Sequence, residues 1–370
     1  MTSKKRLNFF DRLILWFNVL LCLLLLLSYL APVTNPGKMW PIAFLGLAYP
    51  PLIVLALITI LYWLIRGSWY GLLSLITILV GWNVLVNHVG FRSTVYKTAR
   101  ADSSSIRMMT YNVHNFKRYG AENDISTKHE ILELISAQQP DIINFQEFFT
   151  RRRGQYDMRD SIIKLLNSPH YYFEKFRFND NEGIGMAIFS RYPIINHGLI
   201  HLSDEMGSGN QCLYIDIKRN NNVFRVYNVH LQSIRFDPED YQYVDSVSRI
   251  GKPSMTQSKR IAWKLKKAFI KRSEQVIKVK NHSHDCSYPF IIAGDFNDTP
   301  SSFAVNQMAK GLKNAFREKG SGIGRTYNGD FPNYQIDYIM ASPQFDIRSY
   351  KILEKRLSDH YPVCSDLLLK

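Results

Sequence analysis

The sequence predicts a mixed α/β domain carried behind an N-terminal membrane anchor of about three helices. Two observations carry this reading. Three long apolar runs fill the first ninety residues. From Ile106 onward, short β-rich runs alternate with helical periodicities, and strand after strand ends on a polar side chain. Residues 1–90 are read as the anchor, 91–105 as a linker and 106–370 as the α/β domain.

Met1–Arg12 is short and basic, with Lys4, Lys5, Arg6 and Arg12. Leu13–Val33 is then apolar for about twenty residues, enough to match a bilayer core. Ile42–Ile65, interrupted by Pro50-Pro51 near its start, and Trp69–Val86 are two further runs. A signal peptide would explain the first run but not the two that follow. Trp40, Trp63, Trp69 and Trp82 sit near run ends, where interfacial aromatics gather. Asn18 and Asn83 are nearly the only strongly polar side chains within the runs, so a transport path is not expected. The basic tail and Arg66 favour the cytoplasm, with the turn Thr34–Lys38 outside. Three spans then put everything after about residue 90 on the outer side, periplasmic or extracellular. Arg92, Lys97 and Arg100 weigh against this sidedness.

The formal charge of +15 is unevenly spread. Nine basic residues and one acidic residue lie in the first hundred, against 37 basic and 30 acidic in the rest. The high pI is thus partly a membrane-flank signal and weak evidence for a nucleic-acid partner. Four cysteines show no C-x-x-C spacing, so a zinc site is not expected. A disulfide among Cys212, Cys286 and Cys364 stays open for a domain outside the cytosol.

In the α/β part, Ile106–Phe116 reads as a strand ending in polar residues, and Lys128–Gln138 as a helix closed by Pro140. Asp141–Glu147 is a strand ending on a carboxylate, Asp160–Leu166 a short helix, and Gly183–Arg191 another strand. Cys212–Lys218 and Val223–Leu231 form a hairpin around Asn220-Asn221-Asn222. Thr256–Lys280 is a long helix whose basic face (Lys259, Arg260, Lys264, Lys267, Lys271, Arg272 and Lys278) reads as solvated, with a polyanion or lipid surface as the alternative. Pro289–Asp295 is a buried strand running into the glycine and carboxylates of Gly294–Asp298. Ser302–Met308 is a helix, Ile336–Met340 a strand, and Val363–Leu369 the last strand.

Six strand ends carry polar groups: Asn112, Glu147, His230, Asp295 with Asn297, Asp337, and Asp359 with His360. Any one of them has an ordinary structural explanation, such as an Asx turn or a hydrogen-bonded core histidine. Six in one chain point to a site. Carboxylate and carboxamide oxygens without thiolates suit a hard cation, Mg²⁺ or Mn²⁺. Such a cation neutralises phosphate oxygens, and histidines beside carboxylates carry protons or contact the phosphate.

The order of these pieces resembles the endonuclease/exonuclease/phosphatase superfamily. The matching segments are Tyr111-Asn112-Val113, Gln146-Glu147, Asn228-Val229-His230-Leu231, Gly294-Asp295-Phe296-Asn297, Ile336-Asp337-Tyr338 and Ser358-Asp359-His360. The resemblance covers residues 106–370 and implies a four-layer α/β sandwich, with two packed, mainly antiparallel sheets flanked by helices. It implies that Glu147 binds the metal with help from Asn112 and Asp359. It also implies that Asp295 orients or deprotonates the attacking water and that Asn297 holds the phosphate. His360, oriented by Asp337, would contact the phosphate or move a proton, with His230 as the second phosphate-side histidine. Apurinic endonucleases carry an Asp where this chain has His114, and a Tyr near the place of His230, so the pair of histidines is closer to the DNase I and neutral sphingomyelinase branches. The function implied is a membrane-anchored, metal-dependent phosphodiesterase of nuclease type, with a phospholipid or small phosphoester as the alternative substrate. A catalytically silent binding module is the competing class, and the intact set of site residues weighs against it.

Overall fold

The computed structural model describes residues 7–92, 104–117, 125–205, 207–251, 253–329 and 333–370. The apolar start of the chain folds as five helices: α1 (Phe9–Ser28), α2 (Pro36–Leu47), α3 (Tyr49–Ile65), α4 (Gly71–Val80) and α5 (Trp82–His88). Asn8 opens α1 with a reciprocal cap: its side chain accepts from the Asp11 N–H, and Asp11 accepts from the Asn8 N–H. Among the described residues, α1 alone is long and apolar enough to cross a membrane by itself. The pairs α2–α3 and α4–α5 qualify only as spans bent by 46° and 75°. The expected runs 42–65 and 69–86 are therefore each broken. Pro50 and Pro51 occupy the first turn of α3, where missing N–H groups cost nothing, so a new helix starts there. The second break is at Gly81, where any Cβ would lie 2.1 Å from the Tyr29 ring.

α1, α3 and α4 run up, down and up. At one end Arg66 pairs with Asp11 at 2.7 Å. At the other, the Tyr29 hydroxyl donates to the Thr77 carbonyl at 3.0 Å. Between them the buried Asn18 accepts from Thr59 at 3.2 Å and from Ser74, and donates to the Tyr70 carbonyl at 3.3 Å. Its polarity is spent on tying the helices together.

β1 (Val89–Phe91) follows directly, so the expected linker begins inside a strand; residues 93–103 of it lie outside the described residues. Next come β2 (Ile106–Asn112), α6 (Ile125–Gln138), β3 (Ile142–Arg151), α7 (Met158–Leu166), β4 (His170–Phe178) and β5 (Glu182–Ser190). The hairpin strands β7 (Gln211–Arg219) and β8 (Asn222–His230) are preceded by β6 (Ile194–His201). Two helices, α8 (Pro238–Ile250) and α9 (Met255–His284), lead to β9 (Phe290–Asp295). The chain ends with α10 (Phe303–Ala309), β10 (Lys313–Asn314), α11 (Ala315–Lys319), β11 (Ser321–Ile323), β12 (Asp337–Ala341), β13 (Phe345–Ile347), β14 (Lys351–Ile352) and β15 (Val363–Leu369). The first strand of the α/β part stops at Asn112; the polar residues after it, His114–Phe116, form a tight turn instead of continuing the strand.

One sheet runs β13-β15-β2-β3-β5-β4, with β14 also on β15; the other runs β10-β12-β9-β8-β7-β6. β1 pairs with β11 apart from both. Each large sheet has a single parallel pair, β2–β3 and β8–β9, and both are joined by helical crossovers. All other pairings are antiparallel. Ile106, Met108, Ile188, Leu213, Val226 and Ile339 pack between the sheets. Tyr111, Phe145 and Phe189 pack under α6 and α7, while Tyr227, Ile292 and Tyr338 pack under α9 and α10. The order is helix, sheet, sheet, helix. All four cysteines are free. Cys212 and Cys364 lie in the two opposite outer cores, which rules out a bond between them.

Polar clamps cross the apolar layer between the sheets. The fully buried Asn144 of β3 donates to the carbonyls of Tyr227 at 2.9 Å and Ala293 at 3.0 Å. Asn228 of β8 reaches back to Phe145 and Ala187 and accepts from Gln146 at 2.7 Å. These bonds fix how one sheet lies on the other, because a slipped register would leave buried donors unpaired. Gly294 fits the same tight geometry: at φ +153° a Cβ would lie 2.0 Å from the Val229 carbonyl. Gly294→Ala is expected to destabilise the chain by at least about 2 kcal/mol, measured by chemical unfolding; an unchanged midpoint would contradict this packing.

Candidate active site

Strand pairing brings the polar ends to one edge. Asp295 at the end of β9 lies opposite Asp337 in antiparallel register and beside His230 in parallel register. Asn112, at the end of β2, pairs with Gln146 next to Glu147. Asp359 and His360 arrive from the loop before β15, and the Ser358 hydroxyl secures that loop to the Asn112 carbonyl at 2.8 Å.

Glu147 is aimed by a bulge. The pairing of β3 with β5 slips between Phe145 and Phe148, and Glu147 takes φ +53°. That conformation costs a non-glycine residue about 1–3 kcal/mol, and such strain gathers at functional sites. Asn297 (φ +52°) and His114 (φ +42°) are bent in the same way.

Asp295 is 1% exposed and heavily tethered. One oxygen accepts from the Asn297 N–H at 2.8 Å; the other accepts from Asn297 Nδ2 at 3.1 Å and Asn112 Nδ2 at 3.2 Å. Two imidazoles flank it, His230 Nε2 at 3.6 Å and His360 Nε2 at 3.8 Å. Burial pushes the Asp295 carboxyl up to about 6 against the pull of His360, with the Asp337 charge adding to the rise. His360 Nδ1 sits 3.0 Å from Asp337 Oδ2. Burial opposes its charged form, but the Asp337, Asp295 and Asp359 carboxylates outweigh that and hold the imidazolium. The Tyr327 ring meets the His360 ring edge-on at 5.3 Å.

Glu147 is the accessible acid of the set, with its side chain 30% exposed. Burial favours its neutral form, yet His114, His230 and His360 more than offset this and hold it at about 2. His114 Nδ1 lies 3.6 Å from Glu147 and 3.7 Å from Asp359. The neighbouring Glu147 carboxylate raises the His114 pKa.

Asn112, Glu147, His230, Asp295, Asn297, Asp359 and His360 all line one cavity of about 260 Å³; Asp337 stands behind His360. Three residues beyond the expected set join them. His114 is bracketed by the two outer carboxylates, and the only sequence signal for it is its place two residues after Asn112. Asp298 forms a buried ion pair with Arg272 at 2.9 Å. The sequence put Arg272 on the solvated face of the long helix, whereas it is 1% exposed. Tyr327 comes from a stretch with no motif.

The donor set fits a hard divalent cation. Glu147 is kept ionised, faces the cavity and has only long contacts, and every first-choice donor around it is oxygen or imidazole. Asp295, Asp337 and His360 also bring three donor atoms within 4.8 Å of one another. There the His360–Asp337 hydrogen bond and the tethers on Asp295 favour proton transfer over ligation.

The model of the Endonuclease/Exonuclease/phosphatase family matches residues 109–360. A second family model, a domain of unknown function, matches residues 11–88. No curated protein matches the chain significantly. Among solved structures, the chain is similar to an endonuclease/exonuclease/phosphatase from Beutenbergia cavernae, with 20% identity over 72% of both chains and a TM-score of 0.51. It is also similar to the Bacteroides vulgatus endonuclease/exonuclease/phosphatase, with 18% identity over 72% of this chain and 100% of that one and a TM-score of 0.51. A Bacteroides thetaiotaomicron family protein shows 19% identity over 72% and 98%, with a TM-score of 0.50. These likenesses concern the fold.

Proposed function

The chain belongs to the endonuclease/exonuclease/phosphatase family, whose members are phosphoester hydrolases generally using divalent metal ions, and we propose that it is a membrane-anchored phosphodiesterase. The observation that carries this is the tethered Asp295 between two imidazoles, with an ionised Glu147 across the same cavity. Mg²⁺ or Mn²⁺, held by Glu147 with Asn112 and Asp359, would neutralise phosphate oxygens and the leaving oxygen. Asp295 orients a water and takes its proton as the water oxygen bonds to phosphorus and the ester P–O bond breaks. His230 donates to the phosphate oxygens, while Asn297, whose carboxamide hydrogens go to Asp295 and the Leu231 carbonyl, holds the base in place. His360, kept cationic by Asp337, balances the charge that builds there.

The substrate expected first from sequence is nucleic acid. The basic face of α9 gives it limited support, because four of its seven cations are already paired with carboxylates. Lys264 and Arg260 are paired with Asp237 and Asp240, Lys271 with Glu205, and Arg272 with Asp298. Cations already neutralised by carboxylates release few counterions on meeting a polyanion.

For the anchor, we read α1 and the bent pairs α2–α3 and α4–α5 as the three crossing segments, with α2 and α5 at the end beside the catalytic domain. The up-down-up order and the Asp11–Arg66 pair at the far end support this, as do Trp40 and Trp82 at the near end. The catalytic domain then lies on the outer side, opposite the basic N-terminal tail.

Hydrolysis of bis(4-nitrophenyl) phosphate is expected to vanish in EDTA and return with Mg²⁺ or Mn²⁺. Asp295→Asn and His360→Ala are each expected to lower kcat by about 10²–10⁴ with folding preserved; full turnover in EDTA, or in Asp295→Asn, would remove the assignment. For sidedness, protease added to sealed right-side-out spheroplasts is expected to digest the domain after residue 104. A domain that resists until the membrane is opened is cytoplasmic, and the span count above is then wrong.

A further inference from the structure

The anchor and the active site share a wall. The cavity that holds Asp295 and Glu147 is also lined by Leu47, the last residue of α2, and by Ile234, Phe236, Tyr241, Leu265 and Phe269. None of these six belongs to any of the molecule's packed apolar clusters. Leu265 and Phe269 are buried, and Leu47, Ile234, Phe236 and Tyr241 are half-buried at the cavity. α2 is locked in place against the catalytic domain. The Phe44 ring meets Phe269 edge-on at 5.3 Å, the Tyr334 hydroxyl donates to the Leu47 carbonyl at 3.4 Å, and the Ser273 hydroxyl donates to Asn35 Oδ1 at 3.4 Å. On the other side of α2 the bundle presents exposed Phe, Leu and Trp side chains, and Trp40 at the junction lies under Lys266 at 4.8 Å.

We infer that this pocket takes a lipid phosphoester: the phosphate at Asp295 and Glu147, and the first carbons of an apolar tail along Leu47, Ile234, Phe236 and Phe269. The inference rests on the phosphodiesterase reading above. Its polar end needs only the catalytic groups. Its apolar end needs a lining that water does not wet, continuous with a surface that lies in the bilayer. A nucleic acid would instead need unpaired cations beside the scissile group. Arg235 and Arg272, the two arginines lining the cavity, are already bound to Glu205 and Asp298. The N-terminal bundle is on this reading part of the substrate site, and it fixes the cavity mouth at the depth of the lipid headgroups.

The test uses the full chain in amphipol, with Mn²⁺ and bis(4-nitrophenyl) phosphate as reporter substrate, inhibited by alkyl phosphates of four to eight carbons. The inhibition constant is expected to fall about two- to fourfold per added methylene. That slope should flatten in Leu47→Glu and, in a loop position free of core packing, in Ile234→Asn. Inhibition independent of chain length, or stronger inhibition by a single-stranded oligonucleotide than by octyl phosphate, overturns the lipid inference and leaves the hydrolase reading standing. No hydrolysis of the reporter in any divalent cation removes both.

Discussion

A carboxylate taken out of water is costly unless donors replace the lost hydration. Asp295 shows how this fold meets that cost. Its two oxygens receive three hydrogen bonds from Asn112 and Asn297, and two imidazoles stand within 3.8 Å. Those groups come from four separate segments on both sheets. The Asn144, Gln146 and Asn228 clamps that hold one sheet on the other thus serve the site directly. A shift of the sheets by one residue would separate Asn112 from Asp295.

The same rigidity reaches the N-terminal helices. His88, at the end of α5, contacts Ser301 just beyond the Asp295–Asp298 loop at 2.6 Å, and α2 lies along α9. The bundle therefore touches the catalytic domain beside both walls of the cavity. A flexible tether would need no such contacts. This one orients the cavity relative to the apolar surface of the bundle.

Much of the molecule is legible in the sequence because its signals are local. The buried run Pro289–Asp295, the hairpin around Asn220–Asn222 and the long amphipathic helix each announce themselves within a dozen residues. The polar strand ends were visible for the same reason. What was hidden depends on distant partners. Glu147 is aimed by a bulge that only the pairing with β5 creates, and nothing local marks its positive φ. His114 gains its place from Glu147 and Asp359, 33 and 245 positions away. Arg272 has the helical spacing of the solvated cations, and only its pairing with Asp298 in the interior sets it apart. β4, β6 and α8 lack clean periodicity and take their form from the sheet edges and from α9. The broken spans were half visible: the two prolines flagged the first break, but Gly81 needed Tyr29 against it.

Central to the proposed hydrolysis is a divalent cation held by Glu147 in a cavity built from both sheets. Electron paramagnetic resonance of Mn²⁺ titrated into the full chain tests this without any substrate. One saturable site per chain is expected, weakened tenfold or more by Glu147→Gln in a variant that keeps its circular dichroism spectrum. Binding of Mn²⁺ that is absent from the wild-type chain, or unchanged in Glu147→Gln, would contradict it.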